Sequence, residues 1–204
     1  MVISTEPSLT IVAATGLEAA AVRRAAPSLR VVESGIGLSR VHAGDLGDTV
    51  VTCGLAGGLK DEAPTGSIII PETVATQDGH LIACDTRLSA ALLTAAKQLG
   101  RSVLRGSLLT SAELIRGSAR ALWAGRGYLA ADMETGYVRV PRIAAVRVIL
   151  DTPQHELSDA WLKPLSVIGR PWLWPQALWL LREAPTCARL AAAVVALAFN
   201  PRPK

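Results

Sequence analysis

The chain has 204 residues, of which half are hydrophobic and only 4% are aromatic. This length suits one domain with an appendage, and the composition predicts a core of small aliphatic side chains and excludes a disordered chain. The net charge of +4 is unevenly placed: from Ala160 onward six basic residues stand against one acid, so the preceding residues sum to −1 and do not have the charge of a nucleic-acid-binding protein.

Short apolar runs alternate with helical segments along most of the chain. Strands are predicted at Leu9–Ala14, Arg30–Ser34, Thr49–Cys53, Ser67–Val74, His80–Cys84 and Val103–Thr110. Helices are predicted at Glu18–Ala26, Ser39–Leu46, Arg87–Leu99 and Ala112–Ala124, and glycine turns at 35–37 and 54–58. This alternation is typical of an α/β sandwich around a largely parallel or mixed sheet.

Two later apolar runs each carry a carboxylate at their C-terminal end, namely Glu134 and Asp151. Ligands of open α/β sheets bind beyond the carboxyl ends of the strands, so the two carboxylates are predicted to share a pocket. One would orient a polar substrate, and the other, with a raised pKa, would deliver a proton. The alternative is that both acids only mark where strands meet solvent. Gly136 and Pro141 disfavour a long helix after Glu134.

The cysteines and histidines indicate neither a metal site nor a cofactor. Cys53, Cys84 and Cys187 lack metal-binding spacing, which favours a reducing compartment, and the three histidines are scattered. The sequence shows no secretory signal and no run of about 18 apolar residues that would span a membrane. A cytoplasmic protein is therefore predicted.

Several motifs stand in the order found in the nucleoside phosphorylase/nucleosidase superfamily. Gly54–Gly58 (GLAGG) with Pro64–Pro71 resembles its "G-x-AGG" and "x-x-G-D-I-V" block, Met133-Glu134 with Val146–Asp151 resembles its "ME" and "VR-x-I-S-D" pair, and Thr15–Leu17 and Ser34–Gly37 stand where its first two turns belong. The resemblance covers roughly residues 9–151. It is strongest to the hopanoid-associated (adenosylhopane) nucleosidase subgroup, whose members also have a basic, Leu/Ala-rich C-terminal extension.

The resemblance implies a phosphorylase/hydrolase-like fold, a three-layer α/β/α sandwich with a mixed central sheet. It also implies cleavage of a purine N-glycosidic bond through a ribooxocarbenium-like transition state. Asp151 would be the general acid at purine N7, Glu134 would bind the ribose hydroxyls, and Glu18 would be a third catalytic acid, about two residues before the usual place of the family's water-positioning glutamate. Arg147 would organise the nucleophile and the carboxylates. The remaining implied substrate-binding residues are Ala56, Gly57, Met133, Leu114 and Ile115.

The predicted function is hydrolysis of a 5′-substituted adenosine, such as adenosylhopane in hopanoid biosynthesis, by a homo-oligomer. A phosphate-dependent purine nucleoside phosphorylase is the second interpretation. It is less favoured because Arg23, Arg24, Arg40 and Arg87 are more simply explained as solvated helix residues than as a phosphate site. A third interpretation is a non-catalytic binding or scaffold protein that keeps the fold.

The C-terminal segment differs in composition from the rest of the chain. We predict a catalytic domain at residues 1–157 and a basic, Trp-rich helical extension at 158–204, with helices at Trp172–Arg182 and Ala188–Phe199. Four of the five tryptophans lie between Trp161 and Trp179. Trp and Arg suit the membrane interface, which predicts an extension lying on a membrane surface, peripheral on the inner membrane. The alternative is a dimer interface or an apolar lid over the core.

Overall fold

The computed structural model describes residues 9–41, 43–162 and 171–200. Within them the strands are β1 (Leu9–Ala13), β2 (Arg30–Glu33), β3 (Thr49–Gly58), β4 (Ile68–Ile69), β5 (Thr73–Thr76), β6 (Leu81–Ala83), β7 (Val103–Leu104), β8 (Ser107–Thr110), β9 (Tyr128–Asp132) and β10 (Arg142–Asp151). The helices are α1 (Gly16–Ala25), α2 (Thr86–Gln98), α3 (Ser118–Gly125) and α4 (Trp174–Phe199). These strands form one sheet.

The centre of the sheet is the long parallel pair of β3 and β10. On the other edge of β3, β1 pairs in parallel with the first half of the strand, and β9 pairs antiparallel with its last two residues. Beyond β9 lie β8, β5 and β6, beyond β10 lie β4 and β7, and β2 flanks β1. The sheet is therefore mixed.

Two apolar layers enclose the sheet. On one face, Ile11 and Val146 belong to the largest buried cluster, which α1, α2 and α4 complete. On the opposite face, Val50 packs with Leu46 and Val138, which come from irregular segments. The predicted α/β/α class with a mixed central sheet is confirmed.

Several predicted boundaries differ from the structure because glycine and proline act locally. The helix predicted at Ser39–Leu46 is wrong: a 3-10 turn at Ile36–Leu38 precedes this range, and a second at Ala43–Asp45 lies within it. Ser67–Val74 and Val103–Thr110 each form two strands, interrupted at Pro71 and at Gly106, whose φ is +155°. The predicted turn at 54–58 instead continues β3, and α3 begins only at Ser118.

In the described residues 171–200, where two helices were predicted, the chain forms one helix of 26 residues, α4. Pro185 lies inside α4, although proline removes a helical hydrogen bond. Burial compensates for that loss, because Cys187, Ala191 and Val195 belong to the largest core cluster. The boundary after residue 157 stays a prediction, but α4 shares the core of the sheet. In the part of the chain that the structure describes, no helix is both long and apolar enough to cross a bilayer.

Candidate active site

The candidate site is a crevice at the centre of the sheet, where three strands end. The carboxyl ends of β1 and β9 point toward each other along one edge of β3, and β10 ends opposite Gly57 on the other edge. The chain turns away at each of these ends, which leaves a cavity of about 170 Å³. Seven predicted site residues line it: Glu18, Ala56, Gly57, Leu114, Met133, Glu134 and Asp151.

Arg147 lies directly beside this crevice and is 1% exposed. Its Nε donates to Asp132 Oδ2 at 2.9 Å, and its Nη2 lies 2.7 Å from the same oxygen and 3.7 Å from Glu134 Oε2. The carboxylate of Glu18 also acts on this guanidinium. A buried cation is stable only when it is paired, and here one cation serves three acids. Arg147 therefore lies among the carboxylates of Asp132, Glu134 and Glu18, and its implied role in organising the nucleophile stays a prediction.

Asp132 is a member of this cluster that the sequence analysis did not identify. Its Oδ1 accepts from the Thr110 hydroxyl at 2.5 Å, and its Oδ2 accepts from the backbone N–H of Thr135 at 3.2 Å and from the Thr135 hydroxyl. All these groups are buried. The sequence could have pointed to Asp132, because it is an acid directly before Met133-Glu134 and is the last residue of β9. Asp132 anchors the turn that carries Glu134.

Glu134 lies between β9 and a single 3-10 turn at Thr135–Tyr137. This confirms the prediction that no long helix follows it. The backbone N–H of Gly37 donates to Glu134 Oε1 at 3.3 Å, so the glycine turn at residues 35–37 contacts this carboxyl group. Burial raises the pKa of Glu134 to about 7, against Arg147, which lowers it, while Asp132 and Glu18 raise it further. Glu134 therefore titrates near neutral pH.

Glu18 belongs both to the crevice and to the start of α1. Its Oε2 accepts from the backbone N–H and the hydroxyl of Thr15, at 2.8 and 2.7 Å, in a capping box. Its Oε1 accepts from the backbone N–H of Leu55 at 2.8 Å. The site needs glycine at position 54, because a Cβ atom there would lie 2.2 Å from Glu18 Oε1. A carboxylate has about four lone-pair positions, so one remains for a water molecule.

Asp151 ends β10 and is 5% exposed. A Cβ atom at Gly57 would lie 3.0 Å from Asp151 Oδ1, so glycine lets the carboxyl group form the wall of the crevice. Its Oδ2 accepts from Nη2 of Arg120, a residue of α3 that the sequence analysis did not identify. Burial raises the pKa of Asp151, and the ion pair with Arg120 opposes that rise.

No protein-family model and no curated protein matches the sequence. Solved structures do match. The S-adenosylhomocysteine nucleosidase of Streptococcus pyogenes has a TM-score of 0.76 over 100% of both chains, at 13% identity. The 5′-methylthioadenosine/S-adenosylhomocysteine nucleosidase of Neisseria meningitidis has 0.72, at 17% identity, over 94% of this chain and 98% of that one. A futalosine hydrolase mutant of Helicobacter pylori has 0.68, at 12% identity, over 93% and 97%. The chain has the nucleosidase fold.

Within this nucleosidase fold, two implied site residues stand away from the crevice lining. Ile115 packs with Leu59 and Leu109 in a separate apolar cluster, because α3 begins three residues after it and closes that side. Arg147 acts from beside the crevice. Across residues 9–41, 43–162 and 171–200, no three His, Cys, Asp or Glu side chains come together as a metal site would require.

Proposed function

We propose that the protein hydrolyses the N-glycosidic bond of a 5′-substituted adenosine and releases adenine. The observation that carries the proposal is one crevice in which a buried acid, Asp151, pairs with Arg120, while two further carboxylates, Glu18 and Glu134, act on Arg147. Such a separation assigns different roles to acids in one site. The fold supports it, since a matching nucleosidase of Helicobacter pylori holds 5′-methylthioadenosine in its active site, at 13% identity.

The residues of the crevice account for each step of the reaction. Asp151 transfers its proton to purine N7 while the C1′–N9 bond breaks, and the electron pair of that bond stays on the purine. Glu134 accepts hydrogen bonds from the ribose hydroxyls. Water attacks C1′ and gives its proton to Glu18, whose free lone pair holds it in place. The products are adenine and the free 5′-substituted ribose.

The charge of the crevice favours water over phosphate as the nucleophile. Its lining in the described residues contains Glu18, Asp132, Glu134 and Asp151 and no Lys or Arg. The nearest guanidinium groups, Arg147 and Arg120, already pair with these carboxylates. A phosphate anion would therefore meet net negative charge in a buried site, where such repulsion is strong. This disfavours the phosphorylase interpretation.

A second cavity adjoins the crevice and bears on the 5′-substituent. It has a volume of about 740 Å³ and shares Thr15, Leu55, Leu150 and Leu157 with the crevice. The rest of its wall is apolar: Leu17, Trp161, Trp174, Ala177, Leu180, Leu181, Ala184 and Pro185. A large apolar substituent fits this wall, which supports a lipid-linked adenosine such as adenosylhopane as the substrate.

The surface around that cavity supports access from a membrane. Trp172, Trp174, Leu178 and Leu181 are each more than half exposed. Exposed apolar side chains in one patch mark an interaction surface, and a lipid-linked substrate would be taken from a bilayer. We therefore propose that this patch lies on a membrane surface while the protein works.

The deciding experiment is adenine release, followed by chromatography, from adenosine, 5′-methylthioadenosine and an adenosine with an apolar lipid substituent, each with and without phosphate. We expect phosphate-independent release that is fastest with the lipid substrate. Asp151→Asn should lower kcat at least 100-fold, whereas Asp48→Asn, at an exposed site before β3, should match the wild type. Phosphate dependence would overturn hydrolysis, and release from no substrate would favour the non-catalytic interpretation.

A further inference from the structure

Arg120 is a buried cation that the proposed reaction does not use directly. It is 3% exposed and comes from α3, 31 residues before Asp151. Its Nη2 donates to Asp151 Oδ2, its Nη1 donates to the carbonyl of Gly58, and its Nε lies 3.1 Å from Glu156 Oε1. The guanidinium thus joins the end of β3, the end of β10 and the segment after β10.

Glu156 is the second acid that contacts the Arg120 guanidinium. Its Oε1 also accepts from the backbone N–H of Gly117 at 2.7 Å, the residue that precedes α3 and has no side chain to cap the helix. A carboxylate at a helix N-terminus is favourable because it satisfies a free N–H and complements the helix dipole. Glu156 therefore locks both the start of α3 and the guanidinium that this helix carries.

We propose that Arg120 is a positioning residue for the acid: it holds Asp151 by Oδ2, keeps Oδ1 beside Gly57 at the crevice wall, and sets the upper pH limit of the reaction. The expected effect on the pH limit of kcat rests on the proposed function. The positioning of Asp151 by its ion pair with Arg120 does not. A paired arginine disfavours protonation of the acid beside it. Arg120 therefore orients the Asp151 carboxyl group but also lowers its affinity for the proton.

The charges around Asp151 determine the sign of the expected effects. Arg120 contacts Asp151 from α3, and Glu156, in the segment that follows β10, lies against the same guanidinium. On the far side of Arg120 a surface pocket is lined by Lys60, Asp61 and Glu62. The remaining charged groups stand across the crevice: Glu18, Asp132, Glu134 and Arg147. Arg120 is the cation in direct contact, so its removal should raise the pKa of Asp151, and removal of the Glu156 charge should lower it.

The test compares Arg120→Gln, Glu156→Gln and the control Arg126→Gln, whose guanidinium stacks on Trp123 at the end of α3. The Asp151 carboxyl signal, assigned with Asp151→Asn, is titrated by carbon NMR, and kcat is measured against pH. We expect R120Q to move the Asp151 titration and the alkaline limb of kcat upward by about one pH unit or more. We expect E156Q to move both downward, R126Q to move neither, and Arg120→Lys to restore most of the wild-type profile.

The two readouts separate the inference from the function on which it rests. An Asp151 titration that stays in place in both R120Q and E156Q overturns the inference, even in an active enzyme. If the wild-type protein releases no adenine, but the Asp151 titration moves up in R120Q and down in E156Q, the function is overturned and the positioning role of Arg120 stands. Circular dichroism reports whether R120Q folds. If it does not, E156Q carries the test, because glutamine keeps the acceptor for Gly117 and removes only the charge.

Discussion

The Glu134 carboxyl group makes the stability of the folded protein depend on pH. Burial raises its pKa from 4.5 to about 7, so between these values the folded state keeps a proton that the unfolded state releases. The contribution of Glu134 to the free energy of unfolding therefore falls as pH rises from about 4.5 to about 7, and then levels off. The total change is on the order of 3 kcal/mol. Glu134→Gln removes the titrating group, and urea unfolding at about pH 5 and about pH 8 should show that this decline is lost.

The matched control for that prediction is Glu72→Gln. Glu72 is half-exposed and pairs with Arg105 at 2.8 Å on the surface, where such pairs contribute little. The free energy of unfolding of Glu72→Gln should therefore fall between about pH 5 and about pH 8 as much as that of the wild type. If the free energy of unfolding of E134Q declines with pH in parallel with the wild type, a group other than Glu134 causes the decline.

The residues of the site differ in how far sequence alone could identify them. Glu134 and Asp151 could be predicted because each stands at or just after the end of an apolar run, and strand ends converge in this kind of sheet. Arg120 could not, because its neighbours in α3 resemble those of any solvated arginine. It becomes a site residue only when α3 packs beside the ends of β3 and β10, which is a tertiary event.

At the scale of elements, α1 links helix formation to the site through Thr15. Its hydroxyl accepts from the backbone N–H of Glu18 at 3.3 Å and donates to the Glu18 carboxylate at 2.7 Å. Thr15→Ala should lower the free energy of unfolding by about 1 kcal/mol. It should also lower kcat more than it raises KM, because Glu18 loses one of the three donors that orient it. Urea unfolding and adenine-release kinetics measure the two effects.

Two further variants show whether the cap itself is responsible. Thr15→Ser keeps the hydroxyl and should retain both stability and activity. Thr186→Ala removes an exposed threonine whose hydroxyl donates to the carbonyl of Arg182 within α4, and should change stability by less than about 0.5 kcal/mol. Normal kcat in T15A would mean that Leu55 and the backbone of Thr15 suffice to orient Glu18.

Elements were predictable where local pattern and packing agree. α1 and α2 lie within two residues of their predicted positions, because a cap and an apolar stripe define each of them. The helix predicted at Ser39–Leu46 was wrong: Gly35, Gly37 and Gly47, which flank that range, take positive φ values, and the described residues there form only short 3-10 turns. In the C-terminal segment the prediction ended a helix too early, because packing on the sheet lets α4 continue through Pro185. No local signal reports that compensation.

On the scale of the whole molecule, α4 has two different faces. Its buried side completes the core against β3, β10, α1 and α2, so a truncated chain would lose the fold together with the surface. Its other side exposes Leu178 and Leu181 beside the apolar cavity, and Arg182 and Arg189 follow Leu178 by four and eleven residues on the same helix stripe. The predicted homo-oligomer would compete for this surface, and it stays a prediction.

Leu178 therefore gives the sharpest test of membrane access. Its side chain is 70% exposed and does not line the cavity, so Leu178→Glu should leave the core and the crevice intact. A buried charge at a lipid interface is costly, and we expect the variant to lose most of its flotation with vesicles of mixed zwitterionic and anionic phospholipids. Leu122→Glu, at a site on α3 that is 53% exposed, should float as the wild type does. Adenine release from water-soluble 5′-methylthioadenosine should be unchanged in L178E, whereas release from a vesicle-bound substrate should fall.

Equal flotation of L178E and the wild type would contradict the membrane proposal. It would favour a partner copy on this face, and sedimentation of the two proteins would then show whether the wild type forms a larger assembly than L178E.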